Sequence, residues 1–188
     1  MQVLRAADRI AVPWKNGGGV TRDVVVSPAG AGIDEFDWRI SIADVAAGGP
    51  FSAFPGIDRI LTVIEGAGLS LSIDGRAAVV LGEGSPPLAF SGDARCDAGL
   101  RQGPIRDLNV MVRRGAYLAH VRRRSLDAGD IFVGRGEVTL LLVLEATTAS
   151  WPGGEAVLAR EDALLAPAGA PVTFGAAVRL VLAQIDPA

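Results

Sequence analysis

The sequence predicts an all-β chain made of two related halves, and three observations carry that prediction. With 24 glycines and 11 prolines among 188 residues, an uninterrupted helix longer than about three turns is excluded, since glycine costs roughly 1 and proline roughly 3 kcal/mol in a helix interior. Short β-branched or leucine-rich runs alternate with turn residues along the whole chain, as in an antiparallel sandwich or barrel. Residues 60–66, ILTVIEG, recur in similar form as LLLVLEA at 140–146, which places Glu65 on Glu145.

The first strand is predicted over 21–26, a valine-rich run leading away from three glycines. Strand 37–43 alternates large apolar residues with small or charged ones at period two. Strands 59–64 and 69–73 are dense in isoleucine, leucine and valine, and Asp74-Gly75 turns the second of them into an apolar strand at 77–81. A proline-containing return, GEGSPPLAF at 82–90, follows, and then strands 108–113 and 117–121. The second half repeats the order: strand 138–144, the turn Pro152-Gly153-Gly154, strand 156–158, the return REDALLAPAGAPVTF at 160–174 containing strand 163–166, and strand 178–184. Several features in one order favour an internal duplication. Two autonomous domains of this size would each be marginal. The expected organisation is therefore an N-terminal half over 1–115 and a degenerate C-terminal half over 116–188, packed into one compact unit, with 91–129 carrying the chain between them.

Composition narrows the function classes. Hydrophobic residues make up 49% of the chain and the mean hydropathy is +0.35, ample for a core. No apolar run reaches the ~20 residues of a membrane helix, and Arg5, Asp8, Arg9 and Lys15 leave no signal-peptide core, so a cytoplasmic location and no membrane partner are expected. A net charge of −3 and a pI near 5.2 argue against nucleic acid as a partner. The one basic run, Arg122 to Arg124, reads as a solvated turn. Cys96 is the only cysteine and His120 the only histidine. Neither an intrachain disulfide nor a three-histidine metal site can form within one subunit, and no metal or other cofactor is expected.

The most unusual local stretch is PWKNGGGVTR at 13–22. Three successive glycines permit positive φ and can present N–H groups to an anion. Lys15, Asn16, Thr21 and Arg22 surround them with donors suited to a carboxylate or phosphate. The alternative is a glycine-rich turn ahead of a strand, with Trp14 packed in the core. On strand 37–43 the alternation sets Trp38, Ile40 and Ile42 on one face and Arg39, Ser41 and Ala43 on the other. It also groups Arg59, Leu61, Val63 and Glu65, and Asn109, Met111 and Arg113. In a barrel, the face of Arg39 and Ser41 would line the interior. Either arginine could instead be a solvated or ion-paired strand residue.

PWKNGGGVTRDVVVSP (13–28), FDWRISIADVAAGGPFSAFPGIDRILTVIEGAG (36–68) and DLNVMVRRG (107–115) resemble the HutD/Ves family. The resemblance covers the N-terminal two thirds at motif level. It implies a double-stranded β-helix of the cupin type, the RmlC-like jelly roll, with two cupin barrels in one chain. It also implies a role in bacterial histidine utilisation, in which a pathway intermediate is bound and the pathway modulated. No catalytic activity comes with it. The expected ligand is a small carboxylate in the N-terminal barrel: formiminoglutamate, formylglutamate or urocanate. Lys15, Arg39 and Arg59 would hold its carboxylates. Asn16, Thr21, Arg22, Ser41 and Asn109 would donate to or orient its other polar atoms, and Glu65 would accept from a formimino or amide N–H. A metal-independent isomerase or hydrolase using Glu65 or Lys15 as acid or base is the alternative, and a module acting only through protein contact a third. Exposed cupin faces commonly pair, so a homodimer is the expected assembly.

Overall fold

The computed structural model describes residues 1–188, and apart from one 3-10 turn at Ala6–Asp8 its regular elements are all strands. In chain order they are β1 Gln2–Leu4, β2 Ala11–Pro13, β3 Gly19–Ser27, β4 Trp38–Val45, β5 Gly49–Pro50, β6 Ile57–Glu65, β7 Leu69–Ile73, β8 Val79–Leu81, β9 Leu88–Ser91 and β10 Cys96–Leu100. They continue as β11 Ile105–Arg113, β12 Tyr117–Leu126, β13 Ile131–Val133, β14 Val138–Val143, β15 Thr147–Trp151, β16 Gly154–Leu158, β17 Ala163–Ala166, β18 Pro171–Phe174 and β19 Val178–Pro187. No helix is long and apolar enough to cross a membrane.

Contacts divide the chain into two units, Ile10–Ala116 and Met1–Arg9 together with Tyr117–Ala188. In the first, a six-stranded sheet, β2-β3-β4-β11-β6-β9, accompanies a four-stranded one, β5-β10-β7-β8. Every second residue of these strands points to the space between the sheets. Val45, Leu61, Val63 and Ile105 of the larger sheet meet Leu69, Leu71, Leu81, Cys96 and Ala98 of the smaller. In the second unit the sheets run β1-β17-β14-β19-β12 and β13-β18-β15-β16. Leu141, Val143, Leu164 and Leu180 pack there against Ala149, Leu158, Val172 and Phe174.

The duplication extends to the topology. The order β4-β11-β6-β9 in the first unit matches β12-β19-β14-β17 in the second, and β5-β10-β7-β8 matches β13-β18-β15-β16. Each strand from β4 to β11 thus has its counterpart eight strands later.

Three expectations need correcting. Residues 1–9 lie with the C-terminal half, not the N-terminal one, because β1 pairs antiparallel with β17, from Gln2↔Leu165 to Leu4↔Ala163. The stretch 91–129 is no connector, since it contains β10 and β11, and β11 lies between β4 and β6. Arg122 to Arg124 form no turn but part of β12, where they pair with Leu182, Val181 and Leu180 of β19. Strands such as β10 (CDAGL) and β15 (TTASW) escape sequence reading because small and polar residues occupy half their positions.

Candidate functional site

The site is built on the middle of the six-stranded sheet, where β3, β4, β11 and β6 lie side by side. Antiparallel register sets their inward side chains in rows. Asp23, Ser41 and Asn109 form one row, with Ser41 opposite both of the others. Thr21, Ala43 and Asp107 form the row to one side, and Arg39, Met111 and Arg59 the row to the other. The alternate residues, including Ile40, Ile42, Leu108 and Val110, are buried on the opposite face of the sheet. Burial on both faces explains why a polar side chain on these strands cannot simply turn to water.

The inward rows line a cavity of about 600 Å³, together with Trp14, Lys15 and Asn16 from the β2–β3 hairpin and Phe51, Ser52 and Phe54 beyond β5. The hairpin turn explains the three glycines. Gly17 has φ +71°. Its N–H donates to the Trp14 carbonyl at 3.0 Å, and the Gly18 N–H donates to Asn16 Oδ1 at 3.0 Å. A Cβ on Gly19 would lie 2.5 Å from the Asp44 carbonyl. These donors are spent within the turn, so the loop works as a hairpin that presents side chains at the cavity and not as an anion nest. Trp14 packs against the core while its Nε1 donates to Thr21 Oγ1 at 2.7 Å.

Arg59 is the most enclosed cation, 6% exposed. Its guanidinium sits 5.0–5.7 Å from the ring centres of Phe51, Phe54 and Phe90, within cation–π range. Nε and Nη2 donate to Asn109 Oδ1 at 3.3 and 3.1 Å, and Nη1 to the Ser52 carbonyl at 3.2 Å. Burial pulls its pKa below the ordinary arginine range, with Asp107 opposing the shift. Asn109 in turn donates from Nδ2 to Asp107 Oδ1 at 3.0 Å. Asp107 is only 1% exposed. Burial pushes its carboxyl up to about 7, against the pull of Asn109 and Arg59. Arg59, Asn109 and Asp107 thus form one relay along the cavity wall. Arg39 pairs with Asp23 at 2.6 Å.

Of the residues read from sequence, the structure gathers Lys15, Asn16, Thr21, Arg39, Ser41, Arg59 and Asn109 around this one cavity. Arg22 and Glu65 are not among them. Arg22, on the opposite side of β3 from Thr21 and Asp23, pairs with Asp44. Glu65 ends β6 beyond a register shift at Arg106/Asp107, is half exposed, and lies 3.7 Å from Arg106. Arg22 is next to Thr21 in sequence, but a pleated strand turns neighbouring side chains to opposite faces; Glu65 continues the alternation of Arg59, Leu61 and Val63, which the register shift interrupts. The residues missed are Asp23, Asp107 and the three phenylalanines. Period two signals the first pair, two positions from Thr21 and from Asn109. Nothing local signals the aromatic cage, which is assembled from two separate segments, the stretch after β5 and strand β9. No three His, Cys, Asp or Glu side chains converge as a metal site.

The counterpart positions of the second unit differ. Counting from the aligned Glu65 and Glu145, Arg59 corresponds to Thr139, Leu61 to Leu141 and Val63 to Val143. Opposite Leu141 and Val143 stand Leu182 and Leu180, where the first unit has Asn109 and Asp107. Both leucines belong to the apolar core.

The profile of the HutD family matches residues 6–182. An uncharacterised 21.2 kDa protein from the hutC 3′ region of Pseudomonas putida is 41% identical over 128 residues, 65% of this chain, and the chain spans only 63% of that relative's length. A conserved protein of unknown function from Pseudomonas aeruginosa PAO1 superposes with a TM-score of 0.89 at 32% identity, covering 98% of both chains. HutD from Pseudomonas fluorescens SBW25, solved in a formate condition, superposes with a TM-score of 0.82 at 33% identity over 100% of this chain and 98% of that one. A cupin 2 conserved barrel domain protein from Leptotrichia buccalis, 14% identical, shares the fold with a TM-score of 0.63 over 99% and 98% of the two chains. The all-β architecture is therefore a cupin fold.

Proposed function

Because the chain belongs to the HutD family, we propose that it is a small-molecule-binding regulatory protein of histidine catabolism. Its cavity in the Ile10–Ala116 unit takes up an anionic pathway intermediate, and occupancy modulates the pathway. The position of the P. putida relative in the hutC 3′ region supports the link to histidine utilisation.

The observation that carries the ligand class is the convergence of Lys15, Arg39 and Arg59 on one cavity of about 600 Å³, a volume typical of small-molecule sites. Lys15 is exposed at the cavity, but an enclosed cation such as Arg59 loses hydration unless it is paired. Asp23 answers only Arg39 directly, and a bound carboxylate answers the others. Formiminoglutamate, formylglutamate and urocanate are the candidate ligands. Lys15, Arg39 and Arg59 hold the carboxylates, with Asn16, Thr21, Ser41 and Asn109 around the remaining polar atoms. Glu65 has no part in this reading, because it lies outside the cavity lining.

Calorimetric titration with the three acids tests it. Saturable binding of at least one is expected, weakened about tenfold in Lys15→Ala, the loss of one charge-assisted contact of roughly 1.4 kcal/mol. Silence with all three overturns the reading. A second reading, turnover within the cavity, has one observation in its favour: a buried carboxyl with a pKa of about 7, where a general acid or base works best. In that case the acid or base is Asp107 and not Glu65, and incubation with the same acids followed by NMR yields a product.

A further inference from the structure

Beyond the cationic groups the cavity holds one feature that carboxylate binding alone does not use. Asp107 is almost completely enclosed, yet it lines the cavity. Its carboxyl is held by the hydrogen bond from Asn109 Nδ2 to Oδ1. Enclosing a carboxylate with so little hydrogen bonding costs free energy unless a bound group or a proton satisfies it further.

We propose that Asp107 selects the non-carboxylate end of the ligand by exchanging a proton with solvent, so that the same cavity takes acids ending in a cationic N–H group and acids ending in a neutral carbonyl. This rests on the binding function proposed above. The physical basis is charge matching within one cavity. Its lining carries Lys15, Arg39, Arg59, Asp23 and Asp107, which leaves a surplus of two positive charges when Asp107 is protonated and of one when it is ionised. A dicarboxylate ending in an amidine, a strong base that is cationic at neutral pH, carries one net negative charge and matches the ionised form. Asp107 then accepts the amidinium N–H. A dicarboxylate ending in an amide carries two and matches the protonated form, whose O–H donates to the amide carbonyl.

The surroundings permit Asp107 to make this choice. Ala43 on β4 and Val63 on β6 flank it across the sheet and contribute no charge. Arg59 on β6 acts on it directly by its charge, and Asn109 by its hydrogen bond, both favouring the ionised form. Lys15 and Asp23 approach from the β2–β3 side and Arg39 from β4. Asp44 is held by Arg22 and Arg106, and Cys96 of the smaller sheet stays a thiol because burial pushes its pKa up. Midway through its titration near neutrality, Asp107 can move either way at small cost.

Titration calorimetry at pH 7 in buffers of differing ionisation enthalpy reads the exchange directly. Formiminoglutamate is expected to bind with proton release and N-formylglutamate with proton uptake, each a fraction of one proton per site. If only one acid binds, the sign of its exchange decides. In Asp107→Asn the exchange is expected to vanish, and the affinity ratio of the amidine to the amide ligand to fall at least tenfold. Exchange of the same sign for both ligands, or none in the wild-type protein, overturns the inference while leaving the binding function standing. Failure of both acids to bind overturns the binding of these two ligands and the inference with it. The wild-type measurement is decisive even if the variant does not fold.

Discussion

Single side chains decide what the cavity can do, and Asp107 has the largest consequence for stability as well. An aspartate ordinarily ionises near 3.8, but in the folded protein this one holds its proton up to about 7. Between those values the unfolded chain gives up a proton that the folded chain keeps, so the folded state loses ground as pH rises, and above about 7 the penalty is complete. Asp107→Asn, which cannot ionise, is therefore expected to unfold at higher urea than the wild type at pH 8, with a gain on the order of 1–4 kcal/mol that shrinks toward pH 4. Denaturation series at pH 4, 6 and 8 check this, and an equal effect at all three contradicts it. The residue was within reach of the sequence. It opens DLNVMVRRG, and only because the strand was predicted to begin at 108 instead of 105 did it fall outside the inward row with Asn109. Arg39 and Arg59 were legible because strict alternation fixes the side of the sheet to which they point. The phenylalanine cage was not, because cation–π partners from separate segments leave no local pattern.

At the scale of strands, the least legible element has the clearest anchor. β1 is three residues long and borders β17, and the segment leading from it is tied down by Asp162, whose side chain is buried. That carboxylate accepts from the Ala6 N–H at 2.7 Å, from Arg5 Nη1 at 2.8 Å and from the Ala159 N–H at 3.0 Å. Burial alone would raise its pKa, but the two backbone donors and Arg5 outweigh it and hold the group below its ordinary value. The support they give is present above about pH 4 and is lost as pH falls through the lowered pKa. Asp162→Ala leaves two N–H groups without their acceptor and is expected to cost roughly 2–4 kcal/mol, measured by urea unfolding at pH 7. A cost below about 0.5 kcal/mol, the level of an ordinary surface change, would show that β1 is held by its ladder alone. Sequence could not reveal this tie, since residues 5 and 162 are linked only by the fold. The long central strands β4, β6, β14 and β19 were legible, since each is dense in β-branched residues or leucine.

Across the whole chain, the repeat recognised at ILTVIEG and LLLVLEA, and in the apolar strand and return that follow each, extends to an eight-strand topology in which β4, β5, β10 and β11 show no repeat in the sequence. Divergence was permitted wherever packing asks only for bulk and side. It left Asn109 and Asp107 in one unit where Leu182 and Leu180 fill the core of the other. In both units the central pairings join segments distant in sequence, such as Ile42↔Leu108 and Leu126↔Val178. Closing such long loops before the contacts repay the entropy slows folding. Stopped-flow refolding is expected to take roughly milliseconds to seconds; relaxation in microseconds would mean that the sheets assemble from local hairpins. The pairing of β1 with β17 has a further consequence during vectorial synthesis. The segment that leaves the ribosome early has its berth made by residues translated more than a hundred codons later. The polypeptide between them, from Ile10 to Ala116, has both its sheets complete before that berth exists. A nascent chain arrested after Ala116 should hold its first nine residues unprotected from protease, and they become sheltered only once Ala166 has emerged.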